Sequence, residues 1–161
     1  MTVTVPSHSD SYPAAWFPTV AKPNDKPEVI PTVQEWYGYE GNFTLTTDSK
    51  IVLNDAAGVG LEKAAANMKA DVEEICGITL EIVTGTAPTG PNDIYIESLT
   101  DPDQYDLGDE GYLMVTNDEG LHIYAPTYTG CLYGTITAEQ ILWQDETHSA
   151  IPKGIMRDYP A

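Results

Sequence analysis

Glu110-Gly111-Tyr112-Leu113-Met114-Val115-Thr116, then Asn117-Asp118-Glu119-Gly120, then Leu121-His122-Ile123-Tyr124-Ala125, is the stretch that decides how this chain folds. Two runs rich in β-branched, aromatic and aliphatic residues flank a polar turn that ends in glycine, which is the pattern of a β-hairpin. Pro126 ends the second strand, because proline has no N–H to give to a ladder. Beyond it, Cys131, Leu132, Ile136, Ile141 and Leu142 suit a helix from about Gly130 to Trp143.

Working back toward the N-terminus, Asn42-Phe43-Thr44-Leu45-Thr46 alternates polar and apolar residues, and Ile51-Val52-Leu53 is a short apolar run, so two strands are expected. Asp55 then reads as an N-cap. Leu61, Ala64, Ala65, Met68, Val72 and Ile75 follow at helical spacing, with charged residues on the opposite face and Gly77 placed as a C-cap. Ile78 to Val83 and Ile94 to Ile96 alternate as two more strands. The order β-β-α-β-β-β-β-α predicts an α+β fold, a mixed sheet with two helices packed on one face. Residues 1–28 hold prolines 6, 13, 18, 23 and 27 and read as a Pro-rich linker or arm, in which Tyr12, Trp16 and Phe17 form an aromatic group able to dock on a neighbouring surface. Residues 29–155 are expected to be the folded domain and 156–161 a junction.

The chain has 161 residues, and 25 acids against 7 Lys and Arg give a net charge of −18. No Lys or Arg falls between Ala70 and Pro152, so no basic patch is available for nucleic acid or an anionic membrane. No apolar run approaches the roughly 20 residues needed to span a bilayer, and the opening MTVTVPSHSDSYP lacks the basic and apolar regions of a signal peptide. Cys76 and Cys131 are too few for a disulfide framework or a four-Cys zinc site. They read as small buried hydrophobes, and their pairing is left open.

Motifs that carry chemistry are missing. The loop with Asp101, Asp103, Asp106, Asp109 and Glu110 does not match a calcium loop, which would need glycine where Asp106 stands and glutamate where Tyr112 stands. It reads as a solvated connection. His8, His122 and His148 are far apart in sequence, without an HExxH, and His122 alternates with Leu121 and Ile123 so as to face solvent or an interface. There is no nucleophile elbow, phosphate loop or dinucleotide fingerprint. No catalytic, cofactor-binding or metal-ligating residue is therefore assigned.

Taken together, the E-G-Y strand, the strand ending in Ala125, and the helix Gly130-Cys131-Leu132-Tyr133-Gly134-Thr135-Ile136-Thr137-Ala138-Glu139-Gln140-Ile141-Leu142 resemble the domain preceding the catalytic barrel in glycoside hydrolase family 20, the β-N-acetylhexosaminidases and lacto-N-biosidases. That family's helix reads G-x-x-Y-G-x-x-T-x-x-Q-L-L; here Ile141-Leu142 replaces the leucine pair. Val29 to Trp36 resembles the family's opening strand with its Ile-Pro step, and Ile155 to Ala161 resembles its Asp-x-Pro junction.

The resemblance implies a zincin-like accessory domain without the zinc motif, packed against a catalytic TIM barrel of the same polypeptide that alone meets the glycan substrate. The family's substrate-assisted Asp-Glu pair belongs to that barrel, so none of its catalytic residues carries over to this chain. It also implies an extracellular or cell-surface bacterial protein. Two other readings remain at this point. One is a carbohydrate-binding module using Trp36, Tyr37, Tyr39 and Trp143; the other is an acidic mimic that occupies a basic site.

Overall fold

The structure is a computed structural model that describes residues 12–13, 16–30, 32–87 and 89–160. Among these residues the strands are β1 (Glu35–Thr44), β2 (Lys50–Asn54), β3 (Glu81–Thr84), β4 (Ile94–Ser98), β5 (Tyr112–Asn117), β6 (Gly120–Ala125) and β7 (Ala150–Asp158). They form one mixed sheet in the order β1-β7-β5-β6-β4-β2-β3. The β6-β4-β2-β3 half is parallel, and the β1-β7-β5-β6 half is antiparallel. Two helices, α1 (Leu61–Cys76) and α2 (Tyr128–Gln144), lie on one face, giving the expected α+β architecture.

Strand alternation assigns the two faces. Ile51, Leu53, Ile94, Ile96, Leu121, Ile123, Tyr112, Met114 and Met156 turn toward the helices and join Leu61, Ala65, Met68, Val72, Cys131, Ala138 and Leu142 in the main core. Each predicted apolar residue of α1 from Leu61 to Val72 is buried, and Gly77 closes the helix in the left-handed region with its N–H on the Glu73 carbonyl. Asp55 acts one turn earlier than an ordinary cap. Its carboxylate accepts the amides of Val59, Gly60 and Leu61 at 2.9, 2.8 and 3.2 Å, while Gly60 itself occupies the cap position. Thr127 caps α2 by accepting the Gly130 amide at 3.0 Å.

The structure also departs from the sequence reading in its strands and at His122. The expected order stopped at the second helix, but β7 follows it and lies between β1 and β5. Ile51, Val52 and Leu53 lie in β2 as expected, but the strand expected at residues 42–46 is the end of a ten-residue β1 that starts at Glu35, so of residues 29–36 only Glu35 and Trp36 belong to the strand. His122 does not face solvent. It is 6% exposed on the sheet's second face, between the rings of Tyr95 and Tyr124, where burial pushes its pKa down.

That second face is covered by a second apolar layer. Leu113, Val115 and Ile155 point into it, beneath Tyr12, Trp16 and Phe17 of the Pro-rich segment and beside Tyr37, Tyr39 and Tyr105. The segment then passes around the β1 edge. Tyr37 and Tyr39 donate their hydroxyls to the carbonyls of Pro18 and Trp16, and the Asn24 amide donates to the Tyr39 carbonyl at 2.8 Å. Asn24 sits so close over Gly38 that a β-carbon there would meet its carbonyl oxygen at 2.1 Å. Val29 and Val33 finish the path in the core on the helix side. The segment read as a linker or arm therefore straps the sheet over its described length, and the aromatic group docks on the domain itself. Residues 1–11, 14 and 15 of the predicted arm, His8 among them, lie outside the described residues.

Candidate docking surface

In open sheets with parallel strands, ligands favour the crevice at the strands' C-terminal ends. Here that crevice is filled by the protein. Beyond β2, Asp55 holds the amides that open α1 and accepts the Ser98 hydroxyl at 2.7 Å. Desolvation pushes its pKa up, but the Ser98 and amide hydrogen bonds outweigh this and hold it below the usual carboxylate range. Tyr95 donates to Glu97 at 2.6 Å and accepts from Asn54 at 2.8 Å. Burial, aided by Glu97, pushes its pKa up to about 12. Cys131 is buried with its thiol directed at the carbonyls of Glu97 and Ala125, and burial pushes its pKa up to about 12, so it is a core thiol and no nucleophile. Cys76 and Cys131 are both free.

No group of three His, Cys, Asp or Glu side chains that could hold a metal occurs among the described residues. Asp101, Asp103, Asp109 and Glu110 are exposed, as a solvated loop requires. His148 approaches the Leu142 carbonyl with Nδ1 at 3.0 Å.

The outer flank of α2 has a different character. Tyr133, Ile136, Gln140 and Trp143 recur at steps of 3, 4 and 3, and Tyr133, Ile136 and Trp143 are 41, 39 and 65% exposed. The seventeen residues of α2 include one charged side chain, Glu139, whereas the outer face of α1 carries Glu62, Lys63, Lys69, Glu73 and Glu74. In a chain of charge −18, an uncharged apolar flank has the composition of an interface core.

Two glycines fix this flank. A β-carbon at Gly130 would lie 2.3 Å from the Gly111 carbonyl, and one at Gly134 would lie 2.5 Å from Ile123, so α2 sits directly against the sheet. Tyr112 and Thr137 lock the contact through a buried hydroxyl pair at 2.6 Å.

Beside the flank runs a groove of about 500 Å³, walled by Tyr133, Ile136 and Ile30 and closed by Asp158, Tyr159 and Pro160, where the chain leaves β7. Asp158 accepts the Gln34 amide at 3.1 Å, and its pKa is raised by burial.

Next to the exit, Arg157 is 2% exposed and pairs with Glu35, directly across from it on β1, at 2.5 Å. It also donates to the carbonyls of Tyr105 and Asp106 at 2.9 and 2.6 Å and stacks on the Tyr159 ring at 4.3 Å. Tyr105 and Asp106 both sit at positive φ, 63° and 51°, so the arginine anchors the one strained turn of the acidic loop.

Residues 26–159 match the family model described as glycosyl hydrolase family 20, domain 2. The chain belongs to glycosyl hydrolase family 20. Its sequence is 26% identical over 159 residues to a lacto-N-biosidase of Bifidobacterium bifidum, covering 99% of this chain and 14% of that protein. The fold is shared with the family 20 β-N-acetylhexosaminidase of Streptomyces coelicolor A3(2), at TM-score 0.63 and 20% identity over 87% of this chain and 28% of the other. It is shared also with an inactive D437A mutant of the family 20 exo-β-N-acetylglucosaminidase of Vibrio harveyi, at TM-score 0.64 and 19% identity over 88% and 22%. The chain thus spans only a small part of the relatives it matches.

Each residue of the family 20 helix motif has a place in this domain. Gly130 and Gly134 admit α2 to the sheet, Thr137 bonds Tyr112 of the E-G-Y strand, and Gln140 bonds Ile30 of the Ile-Pro step. Tyr133, at 41%, is the one exposed residue among them. The aromatics considered for sugar binding do not form one platform. Trp36 is 2% exposed with its indole N–H on the Asn24 carbonyl, Tyr37 and Tyr39 lie against the strap, and Trp143 is on α2, stacked on His148.

Proposed function

We propose that this chain is the accessory domain of an exo-acting, β-N-acetylhexosaminidase-type glycosidase, and that it packs the outer flank of α2 against the catalytic barrel of the same polypeptide and stabilises it. Residues 12–13 and 16–28 serve as the strap and 29–155 as the body of the domain; 156–158 complete β7, and 159–160 lead on toward the barrel. The barrel carries the catalytic acids and meets the glycan; this domain is inert by itself. The relatives' bacterial origin and the acidic surface favour work outside the cell.

The observation that carries this reading is the uncharged apolar flank beside the point where the chain leaves the sheet. A following domain starts next to that flank, so its docking is intramolecular and avoids most of the entropy cost of association. Covering what remains exposed of Tyr133, Ile136 and Trp143 contributes roughly 0.5–2 kcal/mol each before losses from side-chain ordering.

Two measurements test it. The chain alone should release no nitrophenol from nitrophenyl N-acetyl-β-glucosaminide, and turnover at protein-limited rates would overturn the accessory role. Titrated with a separately produced catalytic barrel from the same polypeptide, the chain should bind, and Tyr133→Ser with Ile136→Ser should abolish binding while leaving the chain folded. Undiminished binding by that variant would move the docking face elsewhere.

A further inference from the structure

Gln140 uses both ends of its carboxamide on one residue. Its Oε1 accepts the Ile30 amide at 2.8 Å, and its Nε2 donates to the Ile30 carbonyl at 3.0 Å, across 110 residues of sequence. A residue clamped on both sides of its α-carbon has a fixed position and a fixed side-chain direction. That direction is outward: the Ile30 side chain is 85% exposed, whereas Val29 before it and Val33 after it are 4 and 2% exposed. The clamp thus holds a large apolar side chain out of the core, on the wall of the same groove that Tyr133 and Ile136 line.

Upstream, the strap is tied down independently. Asn24 donates its side-chain amide to the carbonyls of Gly41 and Lys153 at 2.7 and 3.0 Å and receives the Trp36 indole N–H on its own carbonyl at 2.9 Å. From Asn24 to β1 the segment therefore has two fixed points, one at the sheet edge and one on α2.

We infer that this segment is a working part of the docking surface, with Ile30 as a contact residue and Gln140 as the positioning residue that presents it to the catalytic barrel. A spacer between domains needs reach and freedom; this segment is held at both ends and contributes apolar surface continuous with the α2 flank. The inference rests on the docking role proposed above, and it names a part of that surface that lies on no helix or strand. Gln140 acts through Ile30 and through the fixed shape of the groove.

The test uses four variants of the chain. Gln140→Ala removes the clamp, and Gln140→Glu keeps an acceptor for the amide but sets a carboxylate against the Ile30 carbonyl. Ile30→Ser keeps the clamp and removes the contact. Gln144→Ala, an exposed change on the same helix outside the groove, is the control. Amide hydrogen exchange in the free chain should show protection of residue 30 lost in Gln140→Ala, lowered in Gln140→Glu, and kept in Ile30→Ser and Gln144→Ala. Titration with the catalytic barrel should show Kd raised about 10- to 100-fold by Ile30→Ser, the equivalent of one isoleucine side chain buried. Both Gln140 variants should weaken binding at least about tenfold, and the control should bind as the parent chain does.

If the unmodified chain does not bind the barrel, the docking role fails and the inference with it. If it binds, and the Gln140 and Ile30 variants bind equally well, the docking role stands and the inference is overturned. Ile30 protection that survives Gln140→Ala would overturn the positioning role directly.

Discussion

Arg157→Met should be among the most damaging single changes that preserve side-chain volume in this domain. Methionine matches the arginine stem but supplies neither charge nor donors. The side chains of Arg157 and Glu35 are 3 and 6% exposed, and Glu35 also accepts the Tyr159 hydroxyl at 2.9 Å. Removing the guanidinium leaves a carboxylate in the interior, a loss of about 3–5 kcal/mol. The Tyr105 and Asp106 carbonyls lose a donor too, but they lie on a loop that water can reach, so little is added. For a chain of this length, about 4 kcal/mol lowers Tm by roughly 8–16 °C. Glu35→Gln should cost less, about 1–2 kcal/mol, because the guanidinium keeps the two carbonyls and the Asp106 carboxylate at 3.7 Å. The double variant Glu35→Met, Arg157→Met should recover at least half of the single-arginine loss, since the buried charge is then gone. Urea unfolding followed by tryptophan fluorescence gives all three values. Arg157→Met within about 1 kcal/mol of the parent chain, or a double variant less stable than Arg157→Met alone, would refute the reasoning.

Three further changes probe other parts of the domain. Gly130→Ala should destabilise by about 1–3 kcal/mol in a thermal melt, despite the better helix propensity of alanine, because the new methyl collides with the Gly111 carbonyl; a neutral result would show that α2 does not sit this close. Tyr112→Phe should cost about 1–2 kcal/mol by stranding the buried Thr137 hydroxyl, and Tyr112→Phe with Thr137→Val should recover part of it. Glu139 is half-buried on α2 and is pushed up to about 9 by desolvation and by Asp71 on α1. Between its ordinary value of 4.5 and 9, the folded chain keeps a proton that the unfolded chain has lost, so stability falls as pH rises through that window. Glu139→Gln should flatten the slope and, after solvent screening of the half-buried pair, gain about 1–2 kcal/mol at pH 8. An unchanged slope across pH 5–9 would exclude this pair as its source.

The sequence reading succeeded where one physical period dominated. The spacing from Leu61 to Val72 and the glycine at 77 define α1 without help from the rest of the chain, and the hairpin follows from two runs around a polar turn. β7 was hidden by Pro152 and Gly154, residues that normally argue against a strand. In the structure Pro152 lies opposite Asn42, where the β1–β7 register shifts, and past the end of the β5 pairing, so no regular ladder needs its missing N–H. Gly154 is empty because Trp36 fills the space: a β-carbon there would be 2.3 Å from the indole. For His122, alternation put the ring correctly on the face opposite Leu121 and Ile123. It could not show that this face is dry, because period 2 separates two faces and does not tell water from a second apolar layer. Around His122 the rings are those of Tyr95 and Tyr124, and over Leu113, Val115 and Ile155 the layer is completed by Tyr12, Trp16 and Phe17, whose proline-rich setting has no period at all.

The coverage of the sheet bears on where a partner can bind. One face is filled by α1 and α2, and the other by the strap and the aromatic side of the acidic loop. The β1 edge is occupied in part by Asn24, which takes the Tyr39 carbonyl that an incoming strand would use. Pairing of a foreign strand there would have to displace the strap and its ties to Gly41 and Lys153. The large apolar side chains left exposed among the described residues are Ile30, Tyr133, Ile136 and Trp143. Scattered singly over the surface they would require no explanation. Instead, three share one flank of α2, and the fourth is tied to that flank by Gln140. Contiguity of this kind on an otherwise strongly charged chain marks a surface meant to be covered. Its place beside Tyr159 and Pro160 agrees with the proposed docking, since a barrel joined to this end of β7 would reach the flank at a small entropic cost.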